Sequence, residues 1–365
     1  QTGVGWYRGT FEIPEAYRKC KYLYLFFMAS DEDSTVYLNG AQAFVCDWRT
    51  MKTSVAGTWD LPFSFNIDPY VKRHESNQLT VRVYNRMMRG GIYKPVYLAG
   101  SDAVADTPQI ASKLVEMGLM TQGEHDLAFG TAPPPPPAEN EHLFGARIQR
   151  TMTLLRTSNV NCRRKVKILF YGQSITAGLQ WQRIVDHLRA RYPHAEIIAQ
   201  NRAIGGLDAP RLVRTAVHDL YAFYPDLVVF HVYGKYAPLE RIIRNIRKYT
   251  TSEIMLYTHH IGNFGDKQAA TDAKHDEQND FYHFLAQKYN CELVEVRKEW
   301  KQYLATHQIP NNALMGDTAR PNIHPNRRGH ALLAQLIARH FRYTPLYPAG
   351  WFNMVKTYEA ARSIE

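Results

Sequence analysis

The stretch ILFYGQSITAG, Ile168 to Gly178, decides the fold. Four apolar residues lead into Gly172, and a serine follows two positions later. A short unbroken apolar run bounded by glycine reads as a strand buried on both faces, as in a parallel sheet. Its neighbours repeat the pattern: VKILFY from Val166, AEIIAQ from Ala195, DLVVFHV from Asp226, EIMLYT from Glu253 and CELVEV from Cys291. Between them lie helical stripes, Trp181, Ile184, Val185 and Leu188, then Leu212, Val213, Ala216, Val217 and Leu220. Strands alternating with helices predict a parallel sheet covered on both faces. Open sheets of this kind place their sites at the C-terminal ends of the strands, where Ser174 falls.

Five such strands suit an α/β unit with a compact flavodoxin-like sheet over residues 144–345, followed by a tail, 346–365. Residues 1–100 read differently. YLYLFFM (Tyr22–Met28), TVYLNG (Thr35–Gly40), FSFNI (Phe63–Ile67), QLTVRVYN (Gln78–Asn85) and PVYLAG (Pro95–Gly100) are short and rich in aromatic and β-branched residues. Asn39-Gly40 is a strong hairpin signal, and the whole suggests a β-sandwich. Residues 101–143 form a connector. Thr107-Pro108 opens a helix with Thr107 as its cap and Ile110, Leu114 and Val115 on one face, a face expected to pack on the sheet unit. Pro133–Pro137 then favour an extended polyproline spacer.

The 365 residues carry a formal charge of +10, with 45% hydrophobic residues. A basic surface attracts anionic partners, acidic polysaccharide among them. The densest basic run, RIIRNIRK (Arg241–Lys248), places Ile242, Ile243 and Ile246 on one helical face, so its cations read as a solvated face rather than a nucleic-acid site. No apolar run reaches a bilayer span, and no membrane partner is expected. Cys20, Cys46, Cys162 and Cys291 form no C-x-x-C pair, which leaves no zinc or redox motif; a Cys20–Cys46 bridge stays open. The chain opens at Gln1 without start methionine or signal peptide and reads as a processed or trimmed fragment, so compartment is not legible here.

Ser174 needs a base to become a nucleophile, and histidine serves best near neutral pH. NIHPNRRGHALLAQLI supplies His324, in a proline-bracketed loop before a helix. Between them NRAIGG carries Gly205 and Gly206, where backbone N–H groups can approach an oxyanion closely. Alone, each is bland: a helix-cap serine, a loop histidine, a tight turn. Their shared order, each at one edge of the sheet, makes the case.

That order resembles the SGNH, or GDSL-type, hydrolases over residues 164–341. Gly172, Gln173 and Ser174 stand where the family has Gly-Asp-Ser; Gly205 or Gly206 matches the oxyanion glycine; His324, with Pro325, Asn326 and Gly329, matches the histidine block. The resemblance implies an esterase, many relatives deacetylating carbohydrate, with no metal and no organic cofactor. The departures are specific. Gln173 replaces the aspartate, Tyr236 replaces the oxyanion asparagine after Gly234, and Pro321 stands three before the histidine, where the triad acid belongs. Losing an oxyanion donor costs on the order of 10²–10³ in rate. Losing the histidine's partner costs up to about 10⁴. Tyr236 and Gln173 are the substitute donors, and Asp317, then Glu240, the substitute acids.

Further polar residues gather at the same edge: His231, Tyr233, Lys235, Glu240 and the pair His259-His260, of which one is expected to face the site. Glu240 also fits a helix N-terminal acid. GVGWYRGTFEIP (Gly3–Pro14) with STVYLNG (Ser34–Gly40) is similar to the jelly-roll, sugar-binding-like domain of β-galactosidase- and β-glucuronidase-type glycoside hydrolases. Trp6, Tyr7, Trp48 and Trp59 are its aromatic candidates, at least two of them expected in the core. The sequence thus points to a carbohydrate-active hydrolase, a serine esterase with Ser174 as nucleophile, His324 as base and Asp317 as acid. Gly205, Gly206, Gln173, Tyr236, Glu240, His231 and His260 are its surrounding residues. The alternatives are a glycosidase using Glu240 and Asp317, and a glycan-binding module without turnover. The partner is carbohydrate, and the resemblance favours a secreted or periplasmic protein.

Overall fold

The structure, a computed structural model, describes residues 2–51, 58–86, 90–316 and 322–344. The chain divides into two compact units, Gln1–Thr131 and Ala132–Glu365.

The first unit holds β1 (Gly3–Phe11), β2 (Tyr22–Phe27), β3 (Asp33–Leu38), β4 (Ala41–Cys46), β5 (Phe63–Asn66), β6 (Asn77–Asn85) and β7 (Val96–Ser101). They form two antiparallel sheets, β1-β6-β3-β4 and β5-β2-β7. Asn39 and Gly40 both take positive φ, 49° and 86°, the backbone that a tight β3–β4 hairpin demands. Leu23, Leu25 and Phe27 of β2 meet Val36, Leu38, Val81 and Val83 in the core between the sheets. Tyr24 and Phe26 point the other way, against Ile110, Ala111 and Leu114. Burial on both faces explains why YLYLFFM reads as an unbroken apolar run.

Besides α1 (Glu15–Arg18), two helices close this unit, α2 (Thr107–Glu116) and α3 (Gln122–Phe129). The apolar face of α2 thus packs on β2, within the first unit. The cap is Asp106, whose carboxylate accepts from the Gln109 N–H while Gln109 reaches back. Thr107, expected to cap, lies one residue inside and bonds Ser64 Oγ at 2.9 Å. No disulfide joins Cys20 to Cys46. Trp6, Tyr7 and Trp59 are exposed and Trp48 is half-buried, so the expected pair of core aromatics is not found among them.

The second unit is built on β8 (Lys165–Gly172), β9 (Glu196–Asn201), β10 (Leu227–His231), β11 (Glu253–Tyr257) and β12 (Glu292–Val294). All run parallel in the order β12-β11-β10-β8-β9. The chain winds outward from β8 in both directions, so the crevice between β8 and β10 is the switch point where such sheets hold their sites. Its helices are α4 (Gln149–Thr157), α5 (Ser174–Ala177), α6 (Trp181–Arg191), α7 (Ala209–Ala216), α8 (Tyr236–Tyr249), α9 (Gln268–Lys288), α10 (Val296–His307) and α11 (Arg327–Ala338). One face of the sheet packs Ile168 and Phe170 with α4, α6, α10 and α11. The other packs Leu169 and Tyr171 with α7, α8 and α9. In α8 the three isoleucines are buried as expected, but so is Arg247, whose guanidinium donates to the Ser252 and Tyr289 carbonyls.

At the N-terminal edge two buried carboxylates satisfy helix and loop N–H groups. Ile148 cannot cap α4, so Glu253 of β11 accepts from Arg150 N at 2.9 Å and Thr151 N at 2.7 Å. Glu292 of β12 accepts likewise from Gly145 N and Arg147 N, and from His340 Nδ1 at 2.6 Å. Replacing Glu253 by alanine strands two buried donors. We expect Glu253→Ala to destabilise the second unit by about 1–3 kcal/mol, read from its urea midpoint, with the first unit's transition unmoved.

Candidate active site

β8 ends at Gly172 with φ +150°, and a Cβ there would stand 2.1 Å from the His231 carbonyl oxygen. Only glycine fits this approach, and it turns the strand at once into α5, of which Ser174 is the first residue. Thr176 Oγ1 to Tyr257 Oη of β11, 2.7 Å, and Asn201 Nδ2 of β9 to the Thr176 carbonyl, also 2.7 Å, fix that turn from both sides of β8.

Ser174 Oγ lies 2.9 Å from His324 Nε2, a bond spanning 150 positions of sequence. The described residues around His324 are held at several points. Asn263 and Asn322 exchange backbone bonds of 2.8 and 2.5 Å. The Gly316 N–H donates to the His324 carbonyl at 2.9 Å. Asn326 caps α11 through Gly329 N and anchors backward on the Ala313 and Met315 carbonyls. Buried His260 donates from Nε2 to the Ile323 carbonyl at 2.7 Å. His324 Nδ1 in turn faces Asn322 Oδ1 at 3.1 Å.

The glycine turn comes to the same place. Ile204 N bonds the Gly172 carbonyl at 3.0 Å, and a Cβ on Gly205 would lie 3.9 Å from Ser174 Cβ. Gly206 takes φ +77°. Among the described residues neither the Ser174 N–H nor the Gly205 N–H bonds another group. Unengaged backbone N–H groups of this kind are the chemistry that an oxyanion requires. Gln173 precedes them in an extended conformation, half-buried, and its side chain makes no cap bond.

Other expected residues are engaged elsewhere. Tyr236 donates to Glu277 Oε1 at 2.9 Å and stacks on Phe281, so its hydroxyl is committed away from the oxyanion position. Glu240 accepts from Lys288 Nζ at 2.8 Å and Tyr289 Oη at 2.7 Å; it is a structural acid between α8 and the end of α9. His231 is fully buried, stacked on Tyr257 and bonded to His259 Nδ1 at 2.7 Å, so its ring is enclosed among the strand ends. His259 and His260 do point apart, one to His231 and one to the Ile323 carbonyl. Asp317 and Pro321 lie outside the described residues. Asn322 was not foreseen; the signal was present in PNIHPN, two residues before the histidine rather than three.

Burial holds this edge neutral. His324 is solvent-accessible, yet partial desolvation lowers its pKa below the usual histidine value. His260 and His330 are pushed to about 3 and His275 to about 4, chiefly by desolvation. Among the described residues no cluster of histidine, cysteine or carboxylate groups is arranged to hold a metal.

No family model matches the chain, and no curated protein matches it. Among solved structures it is similar to the acetylxylan esterase Axe2 from Geobacillus stearothermophilus, at 21% identity and TM-score 0.42, over 49% of this chain and 95% of that one. It is also similar to the acetyl xylan esterase AlAXEase, at 23% identity and TM-score 0.39, over 47% of this chain and 98% of that one.

The lowered histidines set a pH dependence. Between about pH 6.5 and 4 the unfolded chain binds protons that buried His260, His330 and His275 refuse, so stability is complete above 6.5 and falls with acidification. Each contributes a slope of up to about 1.4 kcal/mol per pH unit. We expect the urea midpoint of the second unit to fall steadily from pH 7 to 5, with a shallower fall in His330→Gln. A flat midpoint over that span counts against neutral burial.

Proposed function

We propose that the second unit is a serine acyl hydrolase acting on O-acyl groups of a carbohydrate. The observation that carries it is the 2.9 Å bond between Ser174 Oγ and His324 Nε2 at the switch-point edge of the parallel sheet. A hydroxyl paired with the bare nitrogen of a neutral imidazole is a nucleophile with its base. The lowered pKa of His324 supports the reading, because the base is then neutral at and below pH 7.

The steps follow from these groups. Ser174 Oγ forms a bond to the acyl carbon as its proton passes to His324 Nε2. The carbonyl oxygen becomes an oxyanion facing the N–H groups of Ser174 and Gly205. The tetrahedral centre collapses, the carbon–alkoxide bond breaks, and the Nε2 proton goes to the leaving sugar oxygen. Water, deprotonated by the same nitrogen, releases the acid and restores Ser174.

The carbohydrate substrate rests on the sequence resemblances, to the SGNH hydrolases and, in the first unit, to a sugar-binding-like jelly roll. With Tyr236 tied to Glu277, the oxyanion has two backbone donors, and the Gln173 amide is the remaining side-chain candidate. Missing one donor lowers the rate on the order of 10²–10³. Interactions with the rest of a glycan then have to position the ester.

We expect slow hydrolysis of nitrophenyl acetate and faster release of acetate from acetylated oligosaccharides. Ser174→Ala and His324→Ala should each reduce release to background, and the double variant no further, since the two act as a unit. Glu240→Gln should retain activity. Full activity in Ser174→Ala, or cleavage of deacetylated glycans lost in Glu240→Gln, overturns the esterase in favour of carboxylate chemistry.

A further inference from the structure

The amide of Asn322 has a fixed orientation. Its Oδ1 accepts from the backbone N–H of His324 at 2.9 Å, and a backbone N–H can only donate. Its Nδ2 donates to the Gly316 carbonyl at 2.9 Å, and a carbonyl can only accept. The amide therefore cannot turn over without breaking both bonds. Its oxygen faces His324 Nδ1 at 3.1 Å, so that nitrogen carries the ring proton. Nε2 is left bare, and Ser174 Oγ at 2.9 Å donates to it.

We propose that Asn322 is the positioning residue of this site: a neutral amide that selects the reactive tautomer of His324 in place of a carboxylate. The proposal rests on Ser174 and His324 being nucleophile and base. A carboxylate does two things for such a histidine, fixing its tautomer and stabilising the imidazolium. Asn322 does the first and only weakly the second. In each turnover the Nδ1 proton stays on the ring; only the serine proton arrives at and leaves Nε2, and Asn322 exchanges none.

Among the described residues, the groups around His324 leave its pKa to burial. Ser174 faces it from α5, His260 from the end of β11, and His330 from α11; both histidines remain neutral down to about pH 3. Arg297 lies behind His260, donating to its carbonyl and paired with Asp272 and Asp276. Arg327 opens α11 three residues on, with Arg183 of α6 near it. Among the described residues no carboxylate bonds His324.

The test is the pH profile of Ser174 labelling by a fluorophosphonate in the full chain, with ¹⁵N spectra of the His324 ring. In the parent, labelling should decline only below the ordinary histidine pKa, and the spectrum should show the Nδ1–H tautomer. Asn322→Asp keeps the acceptor and adds a charge, so both the acid limb and the ring pKa should rise by about one unit or more. Asn322→Ala should slow labelling about 10- to 100-fold and mix the tautomers. A purely structural role would leave the limb of Asn322→Asp unmoved. That result, an Nε2–H tautomer in the parent, or an equal loss in Asp317→Asn with Asn322→Ala silent, overturns the proposal. If the parent is not labelled and Ser174→Ala matches it on every acylated glycan, the esterase reading fails on its own. The ring tautomer and the pKa response to Asn322→Asp then still decide the part played by Asn322.

Discussion

The close approach of β8 and β10 at Gly172 and His231 is the constraint on which the site depends. The two strands stay in register to their last residues, Gly172 opposite His231, where a side chain at 172 would collide with the carbonyl of 231. Because no Cβ intervenes, the chain leaves β8 and enters α5 within two residues, and Ser174 stands directly over the crevice. The Gly172 carbonyl then receives Ile204 N, which brings the glycine turn over the same spot. One missing methyl group thus brings the Ser174 turn and the glycine turn together.

The histidine reaches this point by a different physics. The described residues of its loop, before α11, form isolated bridges rather than a sheet ladder. Short two-residue bridges and side-chain amides do the work, Asn263 with Asn322, Met315 with Pro325, and Asn326 with three backbone groups. Each amide satisfies a backbone group that the irregular chain would otherwise strand, which is why asparagine recurs in this segment. The positional precision of His324 comes from many modest bonds rather than from one strong one.

How much of this was legible in the sequence follows from range. The five parallel strands and the helical stripes are local patterns of apolar residues, and all five strands lie where the pattern put them, within a residue or two. The pairing of Ser174, His324 and Gly205 was readable as shared order along one sheet edge. β1 and β4 were not marked as strands. β1 is an edge strand with most of its residues exposed, and so has no buried alternation to betray it. The cap of α2 slipped from Thr107 to Asp106 because both residues suit a helix start. The partners of Tyr236 and Glu240 lie on or just after α9, about 40 and 50 positions downstream, where no spacing rule reaches. Asn322 escaped because the expected acid was sought by charge and at a spacing of three, while the fold supplies a carbonyl oxygen at a spacing of two.

Charge is distributed unevenly between the two edges of the sheet, and that division bears on the chemistry. The strand starts carry the buried carboxylates, Glu253 and Glu292, each accepting two backbone N–H bonds. The strand ends carry the buried neutral rings of His231, His259 and His260, with buried Asn279 of α9 bonded to the His259 N–H and half-buried Asn322 in the histidine loop. The buried cation there, Arg297, is balanced by Asp272 and Asp276. Among the described residues no carboxylate bonds the His324 ring, and burial favours its neutral form. In the acyl transfer proposed above, the same neutrality leaves the oxyanion–imidazolium pair to fixed dipoles and its own mutual attraction, with no third charge among the described residues. Burial that keeps these rings neutral also sets the acid limit of the fold, because below about pH 6.5 the unfolded chain takes up protons that the buried histidines refuse, and stability falls from there.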